Sequence, residues 1–316
     1  MDSFTPLPNP NAEDGKPRLV GVEIEFAGLP EDRVASIVKE TLGGSARQGD
    51  GPFWTIEDTA IGDLEVYLDT SLRKFDQSAL RDELLKLGRE VIPVEVVTDP
   101  IRMDQMPHLQ DLVAALRQDG AKGSGAGVFF GFGIHFNIQI ASDRVGDIHR
   151  PLLAYALIED WLRSAMPIDE TRRVLPFTDP YPTAFVRDLI DAGQNIELAD
   201  LITLYLDHCA SRNFGLDMLP IFAHFDPKKV TEKVDDSTSA RPAFHFRLPD
   251  CRIDEAEWGL PTEWDRWVAV EKVAADDALL TRLGQEWQDD HGTVTLSRQS
   301  WAERSGAILG DAGISA

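Results

Sequence analysis

The chain has 316 residues, of which 43% are hydrophobic and 27% are charged, ordinary values for a globular protein with a full core. Its formal net charge is −23, from 54 acidic and 31 basic residues, so its surface repels phosphate backbones and anionic lipid. Nucleic acid and membranes are therefore excluded as expected partners.

Cysteine usage and the N-terminal composition predict a cytoplasmic protein. The two cysteines, Cys209 and Cys251, exclude a disulfide scaffold and favour a reducing compartment. The first residues contain neither a basic n-region nor an apolar h-region, and no apolar run approaches the roughly 20 residues that span a bilayer. We expect a flexible arm over residues 1–16, one domain over 17–304 with a helical insertion at about 147–215, and a loose tail over 305–316.

Segments with strand and helix periodicity alternate along the chain. The predicted strands are Arg18–Phe26, Phe53–Glu57, Asp63–Asp69, Ile92–Thr98, Val128–Ile140 and Ala243–Leu248. The predicted helices are Glu31–Leu42, Gln77–Glu90, His108–Gln118, Asp147–Ala165, Tyr181–Ala192, Glu197–Ser211 and much of Thr262–Asp289. This order predicts an α+β fold: an antiparallel-rich mixed sheet with helices packed on one face and a polar open face that forms a funnel. The sequence contains neither a Walker A nor a GxGxxG motif, so nothing in it indicates a doubly wound nucleotide-binding fold.

Strand parity places chemically useful side chains on the predicted polar face. Glu23 and Glu25 share one face of the first strand, while His135 and Asn137 share one face of a later strand. The late strand likewise presents His245 and Arg247, and the strand at Asp63–Asp69 presents Asp63, Glu65, Tyr67 and Asp69. A solvated sheet face is the simpler interpretation of any single strand. A shared polar funnel accounts better for four strands that supply Glu, Asp, His, Asn and Arg without Lys.

Two glutamates on one strand face indicate a bound cation. Their Cα atoms lie about 7 Å apart, and the carboxylates repel each other unless a cation lies beside them. Hard oxygen ligands select Mg²⁺, Mn²⁺ or Ca²⁺. Arg247, and with it Arg241, offers planar donors suited to phosphate or carboxylate. These groups are what an ATP-using, metal-dependent site needs.

Four segments together resemble a known family. Gly21–Phe26 (GVEIEF), Val94–Pro100 (VEVVTDP), Gly133–Asn137 (GIHFN) and Ala243–Asp250 (AFHFRLPD) follow one another in this order. They are similar to motifs of the amidoligases, which belong to the carboxylate–amine ligase superfamily with glutamine synthetase and glutamate–cysteine ligase. The resemblance covers roughly residues 18–250, and it implies a fold like the glutamine synthetase catalytic domain.

The resemblance implies an ATP- and Mg²⁺-dependent ligase that joins a carboxylate to an amine through an acyl phosphate, with Mn²⁺ as the other candidate metal. Glu23, Glu25 and Glu95 would be metal ligands, and His135 would be a ligand or, with Asn137, a contact of the cofactor. Arg247 would meet ATP phosphates or the acyl phosphate and stabilise the charge of the transferred group. The substrates would be a small-molecule or peptide carboxylate and an amine. A glutamine amidotransferase or ATP-grasp ligase is the implied protein partner.

Two departures from the family pattern concern the acceptor side of the site. His245 stands where glutamine synthetase has a glutamate metal ligand, so His245 is a candidate ligand that would alter metal number or preference. The Asp-Gly-Ser segment that family members usually have before the third glutamate has no exact match in this sequence. Asp58 and Asp69 are the two alternatives for its aspartate. Either aspartate is a candidate base that deprotonates the amine.

Other interpretations of these residues stay open. Glu95 is either a ligand or part of a structural ion pair, because an unpaired carboxylate is costly to bury. His135 could be a satisfied core histidine, and Arg247 could pair with a sheet carboxylate. Two other functions also fit: a catalytically silent module that binds a peptide or subunit, and a metal-dependent hydrolase.

Overall fold

The computed structural model describes residues 3–68, 93–124, 132–166, 179–234, 238–291 and 298–315. The fold of these residues is α+β, and every strand pair with a defined register is antiparallel, as predicted. The strands are β1 Leu19–Phe26, β2 Ser45–Gln48, β3 Phe53–Thr59, β4 Gly62–Leu68, β5 Val94–Thr98, β6 Ile101–Arg102, β7 Ile134–Gln139, β8 Leu216–Asp217 and β9 Ala243–Phe246. The helices are α1 Glu31–Leu42, α2 Met106–Asp119, α3 Gly146–Ala165, α4 Thr183–Ala192, α5 Leu198–Cys209, α6 Leu219–Phe225, α7 Pro227–Thr231, α8 Leu260–Ala275, α9 Asp277–His291 and α10 Arg298–Asp311.

The chain divides into two compact units. The first consists of Met1–Phe4, Leu19–Asn137 and Pro249–Glu263, and the second of Thr5–Arg18, Ile138–Leu248 and Trp264–Ala316. The helices expected at about 147–215 all belong to the second unit. The single catalytic domain over residues 17–304 stays a prediction.

The first unit is built on strands in the order β2-β3-β4-β5-β1-β7, with β6 beside the start of β1. Alternation along β1 and β4 sorts the side chains as their parity predicts: Val22, Ile24, Leu64 and Val66 are fully buried. Helix α1 packs on β2, β3 and β4, and α2 packs on α1. The apolar face of the sheet is thereby covered, and the polar side chains of the same strands point the other way.

Helix α1 begins and ends where its sequence directs. Pro30 precedes it in extended conformation, and Glu31 and Asp32 carry negative charge at the first turn, where the helix dipole favours it. Gly43 follows with φ 80°, a left-handed value that glycine adopts without strain. The helix therefore has the predicted bounds and presents Val34 and Val38 to the core.

The second unit contains the antiparallel pair of strands β8 and β9 and a largely helical core. Phe244 and Phe246 on β9 pack against the ring of Trp267, at centroid distances of 5.2 and 5.5 Å. Trp264, Trp267 and Trp287 are buried, so these tryptophans are part of the packed core.

The N-terminal segment was expected to be a flexible arm, but its residues make defined contacts within the second unit. Leu7 is buried. The backbone N–H of Glu13 donates to Ala141, at 2.8 Å, and the indole of Trp264 donates to the carbonyl of Thr5, at 2.8 Å. Composition alone did not indicate these contacts because they depend on distant partners.

The C-terminal elements also differ from the expectation. The segment predicted at Thr262–Asp289 is two helices, α8 and α9, separated at Asp276, whose carboxylate accepts the backbone N–H groups of Ala278 and Leu279. A loose tail was expected over residues 305–316, yet α10 continues to Asp311. It packs along α3 and buries Trp301 and Leu309, which supply the anchoring apolar surface.

Several predicted bounds are shorter in the structure. The strand predicted at Arg18–Phe26 begins at Leu19, the strand predicted at Ala243–Leu248 ends at Phe246, and the strand predicted at Val128–Ile140 is described as β7. The predicted helix Gln77–Glu90 lies outside the described residues. Among the helices that are described, none combines the length and the apolar character needed to cross a bilayer.

A buried ion pair ties the N-terminal segment to α8 in the second unit. The Arg18 guanidinium donates to both carboxylate oxygens of Glu271, at 2.9 and 2.8 Å. Its Nε donates to the carbonyl of Gln139 at 2.6 Å, and the indole of Trp267 donates to Glu271 at 2.9 Å. Both charges are therefore desolvated and paired.

We expect Arg18→Met to lower the free energy of unfolding by about 3–5 kcal/mol, because it leaves the Glu271 carboxylate buried without its charge partner. The control is Arg47→Met, which removes an exposed pair with Glu57 and should cost at most about 1 kcal/mol. Urea denaturation measures both changes. Equal costs for the two variants would contradict the structural role of the Arg18 pair.

Burial lowers the pKa of His149 on α3, so the folded state favours its neutral form. The unfolded chain binds a proton near pH 6.5 while the folded chain does not, and stability is therefore lost as pH falls below that value. We expect His149→Leu to flatten the fall in unfolding free energy between pH 6.5 and 5 by up to about 1.4 kcal/mol per pH unit. An unchanged slope in His149→Leu would refute the assignment.

Candidate active site

The polar face of the first unit carries two carboxylates in direct register. Glu25 on β1 lies opposite Glu95 on β5, and Tyr67 on β4 lies on the other side of Glu95. Glu95 is 9% exposed. Like charges directly opposite each other on neighbouring strands destabilise a sheet, so this register requires a compensating group.

Strand β7 adds an imidazole and an amide on the other side of β1. The Nδ1 of His135 lies 2.7 Å from Oε2 of Glu23, and its Nε2 lies 3.6 Å from Oε1 of Glu25. The Asn137 amide donates to Oε1 of Glu23 at 2.7 Å. The backbone N–H of Gly133 donates to Oε2 of Glu25 at 2.8 Å. The two glutamates of β1 are thus held by β7, and His135 contacts both of them.

Glu25, Glu95 and His135 form a group that can hold a metal ion. Each offers one ligand atom, and the three atoms lie within 4.8 Å of one another. Two carboxylate oxygens with one imidazole nitrogen suit Mg²⁺ or Mn²⁺. Glu23 at Nδ1 of His135 leaves Nε2 directed at Glu25, the arrangement in which a carboxylate orients a metal-binding histidine. The donor set therefore fits a divalent cation.

Tyr67 borders this group, and sequence analysis gave it no role. Burial, together with the charges of Glu95 and Glu23, raises the pKa of Tyr67 well above its usual value, and the phenol is hydrogen-bonded to Glu95. The hydroxyl therefore stays protonated and donates to the Glu95 carboxylate. Its ring stacks on Phe53, with centroids 5.9 Å apart. In the sequence, Tyr67 could be recognised only by its position on the same face of β4 as Glu65. Its role becomes visible only when the partner strand with Glu95 is known.

The comparison with protein families decides where this arrangement belongs. Residues 16–269 match the model of the family described as "putative amidoligase enzyme". The chain belongs to this amidoligase family. Membership confirms the resemblance carried by the strands of Glu23, Glu95 and His135, and it supports an enzyme of the ligase type. No relative is found among the curated proteins.

The amidoligase places its candidate histidine and arginine of the late strand in the second unit. His245 on β9 lies in register with Asp217 on β8, and its Nδ1 is 3.4 Å from Oδ2 of the aspartate. The Arg247 guanidinium donates to the carbonyl of Arg212 at 2.5 Å. Arg241 donates through its side chain to the carbonyl of Ser239, at 3.3 Å. Their roles toward metal and phosphate stay predictions.

Asp217 is a fully buried carboxylate that sequence analysis missed. Burial acts to raise its pKa, but the hydrogen bond and charge of His245 and the charge of Arg212 together hold the pKa below its usual value. The backbone N–H of Leu219 adds a hydrogen bond of 2.9 Å. Strand β8 has two residues, which is too short to give a periodic signal in the sequence.

Of the two candidate bases, Asp58 and Asp69, the structure describes only Asp58. Asp58 is exposed at the end of β3, where its φ of 59° marks the irregular turn into β4. Phe53 pairs with Tyr67, which in turn pairs with Glu95, so Phe53 is the residue of β3 that lies level with Glu95. Asp58 follows Phe53 by five residues, roughly 16 Å along the strand. The structure therefore does not bring Asp58 to the metal group. Asp69 lies outside the described residues.

The metal group can be tested with one matched pair of variants. We expect Glu25→Gln to weaken Mn²⁺ binding at least about tenfold, because it removes a ligand charge from the group. Glu65→Gln is the control, since Glu65 is exposed on the same polar face and faces Val97. Calorimetric titration measures both affinities. Equal Mn²⁺ affinity in the two variants would contradict the site.

Proposed function

We propose that this amidoligase is an ATP- and Mg²⁺-dependent carboxylate–amine ligase that forms an amide bond through an acyl phosphate. The observation that carries the proposal is the group of Glu25, Glu95 and His135, in a chain whose family is described as amidoligase. Nucleotide phosphates and divalent cations are bound together in phosphoryl transfer, and a carboxylate-rich group supplies the protein's share of the metal ligands.

In this proposal Glu25, Glu95 and His135 hold the cation, and Glu23 orients His135 or adds a ligand. The cation, when bound, supplies Lewis-acid stabilisation of the phosphate oxygens. Asn137 helps to fix Glu23 through its hydrogen bond, and as a cofactor contact it stays a proposal. Tyr67 donates a hydrogen bond to Glu95 and so holds that carboxylate in place.

The second unit's residues are assigned by the family resemblance. Arg247 and Arg241 are proposed to bind phosphate oxygens with planar donors, and His245 is proposed as a further metal ligand. The reaction would proceed in two steps. A carboxylate oxygen attacks the γ-phosphorus and ADP leaves; the amine nitrogen then attacks the acyl carbon, phosphate leaves, and the amine loses a proton. We propose Mg²⁺ or Mn²⁺ as the metal.

The substrates are proposed as a small-molecule or peptide carboxylate and an amine. A glutamine amidotransferase or ATP-grasp ligase is proposed as the partner enzyme. The net charge of −23 favours amine-bearing, cationic acceptors over anionic ones as the molecules that the surface attracts.

One observation favours a second candidate, a silent module that binds a peptide or subunit on the same fold. His245 stands where a glutamate ligand is usual, and its Nδ1 faces the buried carboxylate of Asp217 instead. A site with fewer carboxylate ligands could retain binding and lose turnover.

Calorimetry with ATP and Mg²⁺ separates these functions. We expect the wild-type protein to bind ATP only with the metal present, and Glu23→Gln to weaken that binding at least about tenfold, because both its neighbours, His135 and Asn137, lose an anionic acceptor. Glu65→Gln should bind as the wild type does.

Turnover gives the complementary result. ADP formation that requires both a carboxylate and hydroxylamine, with hydroxamate as product, would establish the ligase chemistry. Absence of ATP binding, with no effect of Glu23→Gln, would refute the proposal. Partner binding that is indifferent to ATP and to chelator would establish the silent module, and amide hydrolysis without ATP would indicate a hydrolase.

A further inference from the structure

Asp217 is the most deeply buried charged group of the second unit's strands, and no step above uses it. It lies on β8 in register with His245 on β9, and both side chains are buried. The two oxygens of the carboxylate have different partners. Oδ1 accepts the backbone N–H of Leu219 at 2.9 Å, while Oδ2 lies 3.4 Å from both Nδ1 of His245 and Nε of Arg212.

The chemistry of these partners determines which imidazole nitrogen carries the proton. An ionised carboxylate can only accept hydrogen bonds, so the ring atom that faces it must be a donor. Nδ1 of His245 is that atom. In a neutral imidazole with Nδ1 protonated, Nε2 carries the lone pair that binds a metal ion or accepts a proton.

We propose that Asp217 is a positioning residue: it holds His245 in the tautomer with Nδ1 protonated and orients the Arg212 guanidinium beside it. The geometry of the proposal uses contacts within the second unit only. Its consequence, that Nε2 of His245 is presented to the metal ion or phosphate, rests on the proposed function. Substitution of Asp217 or Arg212 is therefore also expected to affect binding of the metal ion or phosphate.

The chain contains a second aspartate–histidine pair that serves as a control. Asp188 lies 2.9 Å from Nε2 of His208, and its side chain is 52% exposed. In this pair the carboxylate meets the opposite ring nitrogen, and water competes for the contact. The inference therefore concerns the buried pair at Asp217 and not aspartate–histidine pairs in general.

Long-range ¹H–¹⁵N NMR of the full chain with ¹⁵N-labelled histidine reads the tautomers directly. Each of the seven histidines gives a set of ring cross-peaks, and His245 is identified by the set that His245→Gln removes. We expect Nδ1 of His245 to carry a proton, because it faces the Asp217 carboxylate. An Nδ1 without a proton would overturn the inference, whatever the protein's activity.

Asp217→Asn tests the positioning role without a change of shape. The Leu219 N–H requires an acceptor at the position of Oδ1, so the asparagine must place its oxygen there and its NH₂ group toward His245. Nδ1 then faces a donor, and the favoured tautomer changes to one with Nε2 protonated. We expect this change at His245 only, while Asp188→Asn alters the His208 signal and leaves His245 unchanged. An unchanged His245 tautomer in Asp217→Asn would overturn the inference.

Calorimetry with Mn²⁺ and a non-hydrolysable ATP analogue then separates the inference from the proposed function. We expect Asp217→Asn to bind Mn²⁺ with the analogue about 10- to 100-fold more weakly than Asp188→Asn does. Losses of this size are typical when a residue that orients a metal ligand is removed. A changed tautomer with unchanged binding would sustain the positioning role and refute His245 as a ligand. If Asp217→Asn does not fold, the wild-type spectrum decides the tautomer, and Arg212→Met, which keeps the carboxylate, should leave the proton on Nδ1.

Discussion

The repulsion between Glu25 and Glu95 is the constraint on which the site depends, because antiparallel pairing of β1 with β5 puts these carboxylates opposite each other. Two unit charges about 5 Å apart at an effective dielectric constant of 20 repel by about 3 kcal/mol. Hydrogen bonds from Gly133 to Glu25 and from Tyr67 to Glu95 contribute roughly 1.5–3 kcal/mol each, so the two bonds together can offset the repulsion. In the proposed function a divalent cation neutralises both carboxylates, and His135 offers it a third donor.

The same register sorts the side chains of β1 between the two faces of the sheet. The alternate residues of β1 and β4 are fully buried apolar side chains, and α1 packs on β4. A shift of one residue along β1 would move Glu23 and Glu25 to the apolar side and expose Val22 and Ile24. The burial of the apolar face therefore fixes where the carboxylates point. The polar face is positioned by elements that take no part in the chemistry.

Strand parity predicted the faces of β1, β4 and β7 correctly, because each alternates clearly between apolar and polar residues. Parity could not assign Glu95, since its neighbours on β5 are all apolar or Thr98; only the pairing with Glu25 and Tyr67 gives it a place. Sequence reasoning also predicted Asp58 as a base from a motif; Asp58 lies at the exposed end of β3, and its role stays a prediction.

The missed features have a common physical cause. Asp217 lies on a two-residue strand, and α10 has its buried residues spaced among small and charged ones, so neither gives a strong periodic signal. Thr5 and Arg18 bond to partners far away in the sequence, Trp264 and Glu271, which local composition does not report. The resemblance to a family recovered the main site because its residues lie on the regular strands.

The central claim is that the facing carboxylates hold a divalent cation, and anomalous diffraction from crystals grown with Mn²⁺ and an ATP analogue tests it most directly. The account predicts a manganese peak about 2.1 Å from oxygens of Glu25 and Glu95 and from Nε2 of His135, with phosphate oxygens completing the coordination. A nucleotide bound with its metal elsewhere, and with Glu25 and Glu95 neutralised by protein cations, would contradict it.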